Sequence, residues 1–455
     1  MRRLERRAEP KLPREAVRRR LQWPFMRYIA LLLAANLLYA EDWPQWRGKD
    51  RLGIWSESGI LERFPPEGPQ RVWTQPIADG YAGPAVADGR VFVTDYRSTQ
   101  NRKGVERALC LDEATGDTLW EKEWPVDYAG LQYALGPRAT PTVDGDRVYV
   151  LGSMGDLFCL RAKDGAEVWH RNYQRDFDAE LPTWGFVGAP LVDGERLIAL
   201  VGGSPDAKVV AFDKMTGEEV WRAIAATSEP GYDPPVIFEA GGVRQLIVWH
   251  PTAVASLNPE TGDVYWEQPF KIQAGLTVAT PVFSEHGLLV SAFYNGSRMY
   301  RLLEDRPAAE LIWKGNSDSE IETDGLHSLV TTPVVDGDYV YGIGSYGHLR
   351  CLDARTGERV WDTLDLTMEN ARWASGQIVR HEDRYFINND RGELVIARFT
   401  PAGYEELDRA TIMEPTNPLR RRREFGAVHW THPAYANRHM IIRNDEEIVR
   451  FSLER

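Results

Sequence analysis

Nine aromatic or polar residues stand just ahead of strand-like segments that recur along the chain: Tyr81, Arg138, Trp184, Phe186, Tyr232, His327, Trp373, His429 and Trp430. Aromatic rings supply flat apolar walls, and an arginine supplies a fork of donors for a carboxylate or phosphate. Brought together, they would form a pocket for a planar acidic ligand or a peptide side chain, with Arg138 as the anion clamp. Left apart, they would be filler among connecting loops. Seven of them form the candidate ligand-binding set: Arg138, Trp184, Tyr232, His327, Trp373, His429 and Trp430.

Other chemistry is sparse. His429, His432 and His439 cluster, and His-x-x-His can hold a metal. Here the pair precedes Pro433 in a strand entry, where the rings need not converge, so no metal site is assigned. The Asp-Gly-Asp runs at Asp144 and Asp336 lack the further acidic ligands and closing glutamate of a calcium loop, and read as hairpin turns. Four arginines, Arg420 to Arg423, either dock an acidic partner or anionic lipid, or form a solvated loop. There is no Gly-x-Ser-x-Gly elbow and no phosphate-binding glycine loop, and no catalytic residue is assigned.

The elements that must position these residues are repeats. ATPTVDGDRVYVLGSMGDLFCLRAKDGAEVW, from Ala139 to Trp169, returns almost intact at Thr332 to Trp361. In each copy an Asp-Gly turn sits between alternating apolar residues, which is the signature of a hairpin. A glycine bend, a short third strand, a Thr-Gly or Asp-Gly turn and a strand ending in tryptophan follow. Six further copies are legible. That of Gly376 to Leu407 has lost its tryptophan, and that of His432 to Leu453 stops after three strands. The first-strand prolines run from Pro84 to Pro433 at about 50 residues per repeat, the spacing of propeller blades. Units this small bury both faces only by stacking, and a closed ring leaves short, protected edges.

The expectation is an all-β, eight-bladed propeller of four-stranded antiparallel blades over residues 71–455. Arg71 to Ile77 is a fourth strand without a blade, so it completes the last one. In a propeller, the segments ahead of the first strands lie at the mouth of the central channel, where the candidate pocket residues stand. Trp73, Trp120, Trp169, Trp221, Trp266, Trp313 and Trp361 end the fourth strands and read as wedges between blades. Cys110, Cys159 and Cys351 occupy one equivalent slot on different repeats, so they read as buried thiols that do not pair.

Residues 1–25 hold nine Arg/Lys against three Glu, and read as a basic leader or a misannotated upstream extension, with Met26 a second candidate start. Residues 26–40 read as a signal peptide, with an apolar run too short to span a bilayer comfortably. Residues 41–70, rich in Trp and Pro, read as an arm packed on the ring. The net charge is −13, which argues against nucleic acid as a partner.

The run CLDEATGDTLW at Cys110 to Trp120, with its relatives ending at Trp221, Trp266 and Trp361, resembles the tryptophan-docking motif of pyrroloquinoline-quinone (PQQ)-type propellers. The likeness spans Arg71 to Leu453. Two branches share that fold: quinoprotein alcohol dehydrogenases and non-catalytic BamB-like scaffolds for outer-membrane protein assembly. The enzyme branch implies an adjacent Cys-Cys pair against the quinone, a calcium site with Glu and Asn, and an Asp base. This sequence has no Cys-Cys, and none of those residues carries over by position. The resemblance therefore implies a monomeric, non-catalytic binding or assembly scaffold, periplasmic or secreted, whose partners are envelope or secreted proteins. It would have no transmembrane span after signal cleavage. The alternative is a PQQ- and Ca²⁺-dependent alcohol or sugar dehydrogenase.

Overall fold

Turn chemistry sets the blade. In the computed structural model, which describes residues 41–225, 227–418 and 426–455, Gly145 and Gly337 take φ of 55° and 53° at the tips of their hairpins. That is the left-handed region that a two-residue hairpin turn needs. The tips join Thr142–Asp144 to Arg147–Leu151, and Val334–Asp336 to Tyr339–Ile343. Two more strands follow in each repeat, and all four pair in chain order. Eight such antiparallel sheets form the blades of a propeller. The only α-helix among the described residues is the five-residue Tyr173–Phe177. No helix there is long and apolar enough to cross a membrane. The basic leader, the signal segment and Arg420 to Arg423 lie outside the described residues.

Blade 8 contributes Ala434–Ala436, His439–Arg443 and Glu447–Ser452. Strand β1 (Arg71–Pro76) is its fourth, pairing Trp73 with Arg450 and Pro76 with Glu447. The ring is therefore closed by a segment from near the start of the chain. Arg443 is fully buried behind this clasp and donates to Thr94 O at 2.8 Å in blade 1, to Asn444 O and to Ala78 O. Glu113 of blade 1 accepts from Arg450 at 3.0 Å and from Asn437 at 2.8 Å. Where two blades meet through buried charges, deleting one partner leaves the other uncompensated, at about 3–5 kcal/mol.

The tryptophans dock by a repeated device. The indole N–H of Trp73, Trp120, Trp169 and Trp221 donates to a carbonyl in the last turn of the following blade, at 2.8–3.2 Å. The ring lies over the glycine of that turn. A Cβ on Gly116 would come within 2.7 Å of the Trp73 ring, and one on Gly165 within 2.6 Å of Trp120. Glycine is thus required both for its positive φ and for the indole's seat. Just before each tryptophan the register slips by one residue, so that Leu119, Val168 and Val220 are bulged and exposed. Bulges on outermost strands disrupt the row of free N–H and C=O groups that would otherwise template edge-to-edge pairing.

Trp313 and Trp361 follow the hydrogen-bonding rule, to Ala354 O and Thr400 O. Trp266 does not. Its following turn is the degraded one of blade 5, which offers no glycine seat, and its N–H turns back to Gln245 Oε1 of its own blade at 2.7 Å. Blade 7, which lacks the tryptophan, has Leu407 at the bulge. Asp408 holds the tryptophan's place in the register and accepts from Phe64 N of the arm at 2.7 Å. Elsewhere on this seam Trp55 of the arm, fully buried, packs against His381 and Phe386 of blade 7 and Tyr435 of blade 8 at 5.0–5.3 Å between ring centroids.

The three cysteines are free and buried. Burial pushes the Cys110 and Cys159 thiols up to about 12, and Cys351 up to about 11, so the thiolate needed for exchange is absent at neutral pH.

Candidate functional site

Each blade's last strand feeds the next blade's first strand through a loop on one face of the ring, and these loops reach the axis. Their apolar residues form a cluster separate from the blade cores, centred on Phe293, Trp373 and Val428, with Tyr133, Leu276, Tyr294, Leu329 and Trp430 against it. Beside and beneath this cluster lies a cavity of about 260 Å³. Of the sequence candidates, Arg138, Trp184, Tyr232, Trp373 and Trp430 line it, as does Tyr81. His327 and His429 do not. Both rings are buried and serve as backbone ties: His327 donates from Nδ1 to Phe293 O at 3.2 Å, and His429 from Nε2 to Arg443 O at 2.7 Å. Burial pushes both imidazoles below their ordinary pKa, and no group of three metal-binding side chains occurs among the described residues.

Arg138 is occupied by its own loop. NH1 donates to Gly136 O at 2.9 Å and NH2 to Gln132 O at 3.0 Å, with Tyr133 O and Ser153 Oγ beside them, and the guanidinium lies 4.8 Å from the Tyr81 ring centroid. It shapes the rim rather than offering a free anion clamp. Trp184 and Tyr232 meet edge to face at 5.4 Å. They are held by Glu229, which accepts from Thr183 N and Oγ1 at 2.8 and 2.7 Å and from the Tyr232 hydroxyl. That carboxylate staples two neighbouring loops together. Burial, and secondarily Glu229, push the Tyr232 phenol upward, so it remains a donor.

The floor comes from the arm, which the sequence reading placed on the body without a site role. Trp43 pairs with Val86 of blade 1, and Val143 N of blade 2 donates to Pro44 O. Two residues on, Trp46 projects into the channel and donates from Nε1 to Thr280 Oγ1 of blade 5 at 2.9 Å, edge-on to His432 at 4.3 Å. Arg51, buried, donates to Pro235 O and Pro190 O at 2.8 and 2.6 Å; burial pushes its guanidinium down to about 9. The channel is thus plugged at the face opposite the loops. Around Trp46 lies a ring of residues that precede the first-strand prolines. Thr140 Oγ1 donates to His432 Nε2 at 2.6 Å, because His432 Nδ1 must carry the proton that it gives to Pro433 O. In blade 7 the hairpin closes at His381 and Arg384 as blade 2 closes at Asp144 and Arg147, which puts Gln377 level with Thr140. Gln377 lines the cavity, is 9% exposed, and its side-chain amide has no hydrogen-bond partner among the described residues. Ile378 stands where other blades have proline. Aligning the repeats by their hairpins would have found Gln377; nothing in the arm's irregular sequence marks Trp46.

A calcium-bound tricarboxylate quinone asks for cations against its carboxylates, oxygen ligands for the metal and a paired cysteine platform. No carboxylate lines this cavity, Arg138 is committed to carbonyls, and the cysteines lie one each in blades 1, 2 and 6. The residues present do not fit that group.

The family profile described as "Outer membrane protein assembly factor BamB" matches residues 104–363 and 305–398. BamB of Moranella endobia is 25% identical over 292 residues, which cover 60% of this chain and 69% of that protein. The quinoprotein alcohol dehydrogenase PedH of Pseudomonas putida is 28% identical over 161 residues, only 32% of this chain and 25% of the enzyme. Among solved structures, BamB from Moraxella catarrhalis superposes with a TM-score of 0.54 at 14% identity, covering 84% of this chain and 97% of that one. The quinohemoprotein alcohol dehydrogenase of Comamonas testosteroni gives 0.60 at 14%, covering 93% and 82%. At such identities the structural likeness establishes the fold alone.

Proposed function

From the premise that this chain belongs to the propeller family described as outer membrane protein assembly factor BamB, we propose that it is a non-catalytic binding scaffold of the cell envelope. The observation that carries this reading is the composition of the axial cavity. Its wall is aromatic and aliphatic, without a carboxylate, and its one arginine is tied to backbone carbonyls. A wall of that kind binds and orients; its one imidazole, His432, is committed to Thr140 Oγ1 and Pro433 O, and no group of three metal-binding side chains occurs among the described residues. The curated relatives named as outer-membrane assembly factors support an envelope address, as does the apolar run at residues 28–39. On this reading the chain works as a monomer and engages other envelope proteins through its loop face.

The test compares cells lacking the chain with complemented cells for the amount of folded outer-membrane β-barrel protein. A deficit restored by the full chain supports the scaffold. Unchanged barrel levels, together with PQQ and Ca²⁺ uptake by the purified chain and dye reduction by an alcohol or sugar, would replace it with the dehydrogenase reading that the partial match to PedH favours.

A further inference from the structure

The axial cavity carries more than its apolar character. Aromatic rings line it: Trp46, Trp184, Tyr232, Trp373 and Trp430. Its volume, about 260 Å³, accepts one ring-sized group. A polar side chain of the lining stands unmatched: the Gln377 amide offers two donors and an acceptor with no hydrogen-bond partner among the described residues. Native proteins seldom leave a largely buried amide unpaired, so this one points to a ligand or water. The backbone gives an independent sign. Tyr133, Ala274 and Trp373 all line the cavity in the left-handed region, at φ 51°, 57° and 70°. Non-glycine residues hold that conformation at a cost, and such residues concentrate at binding sites.

Charge narrows the occupant. No carboxylate lines the wall to receive a cation, and the Arg138 amino groups already serve carbonyls, so an anion gains little. A purely apolar side chain would seal the Gln377 amide away from any partner, which is costly for a desolvated donor. The remaining class is neutral, flat-faced and rimmed with hydroxyls. We propose that the cavity binds a neutral carbohydrate. One pyranose ring lies against the aromatic walls, with its hydroxyls paired to the Gln377 amide. Tyr133, Trp184 and Trp430 are half-buried at the rim, so further sugar residues extend outward over the loop face. This assignment stands apart from the scaffold reading and from which envelope proteins are bound.

Calorimetric titration of the full chain tests it, with methyl β-glucoside, methyl β-N-acetylglucosaminide and their β1,4-linked disaccharides. Glucuronate, glucosamine and N-acetyl-phenylalaninamide serve as charged and apolar comparators. Saturable binding of at least one neutral glycoside is expected, tighter than any comparator. Gln377→Ala should weaken it about tenfold, the loss of a hydrogen bond made in a desolvated site. Trp430→Ala removes one stacking face at the half-buried rim and should weaken binding in the same direction. It keeps the test decisive if Gln377→Ala misfolds. Absence of saturation by every neutral glycoside would overturn the proposal. So would binding indifferent to both substitutions, or binding of the phenylalanine amide in the sugars' place.

Discussion

Replacing Trp73 by alanine removes the side chain on which ring closure depends. The indole is 8% exposed, wedged over Gly116 of blade 1, and donates to Glu113 O at 2.8 Å. A tryptophan buries on the order of 150–250 Å² of surface, worth ~4–6 kcal/mol at ~25 cal/mol per Å². Partial burial in the unfolded chain reduces this by roughly 10–40%, and the lost hydrogen bond returns ~1 kcal/mol. The net expectation is about 3–6 kcal/mol, which spans the usual range for a buried aromatic cut to alanine. Trp361 is the internal control. It ends the same strand of blade 6 and donates to Thr400 O at 2.9 Å, but it is half-buried and has no glycine seat. With less area to lose, Trp361→Ala should cost about 1–2 kcal/mol. Urea denaturation followed by circular dichroism measures both. A Trp73→Ala cost below about 1 kcal/mol, or equal costs at the two sites, would refute the claim that β1 closes the ring through its tryptophan.

Two further outcomes follow from the same geometry. Gly116→Ala drives a Cβ into the Trp73 ring at a backbone φ of 78°, whereas Gly145→Ala at φ 55° meets nothing within 4 Å. Thermal melting should therefore fall further for the first, with the second losing only the ~1 kcal/mol of a left-handed alanine. For His432, burial holds the imidazole pKa down to about 4. The unfolded chain takes up this proton near pH 6.5 while the folded chain refuses it. The residue's stabilising contribution is therefore complete above pH 6.5 and is lost as the pH falls towards 4. His432→Gln should flatten the stability profile in that window; an unchanged slope would mean that other groups set it.

The periodicity of turns and tryptophans was enough to determine the blades. Asp-Gly hairpins, a terminal tryptophan and the Thr-Gly turn are local devices, each satisfied within about ten residues, and they repeat. Closure was legible for a related reason: Arg71 to Ile77 is a strand pattern without partners, and blade 8 is a blade without a fourth strand. The alignment of repeats also showed where connecting loops converge, and Arg138, Trp184, Tyr232, Trp373 and Trp430 share one cavity as a result.

What tertiary structure alone decided was the direction and partner of individual side chains. His327 and His429 stand at the right places in the chain, but each ring is tied to a backbone carbonyl and neither lines the cavity; a buried N–H goes to the acceptor within reach. Arg138 is in the right loop but is satisfied by that loop's own backbone. Trp46 and Trp55 lie in a segment with no period. Their roles, floor of the channel and packing between blades 7 and 8, depend on residues more than 200 positions away. A periodic pattern encodes contacts between neighbours. An arm that crosses the ring makes contacts defined only once the ring exists.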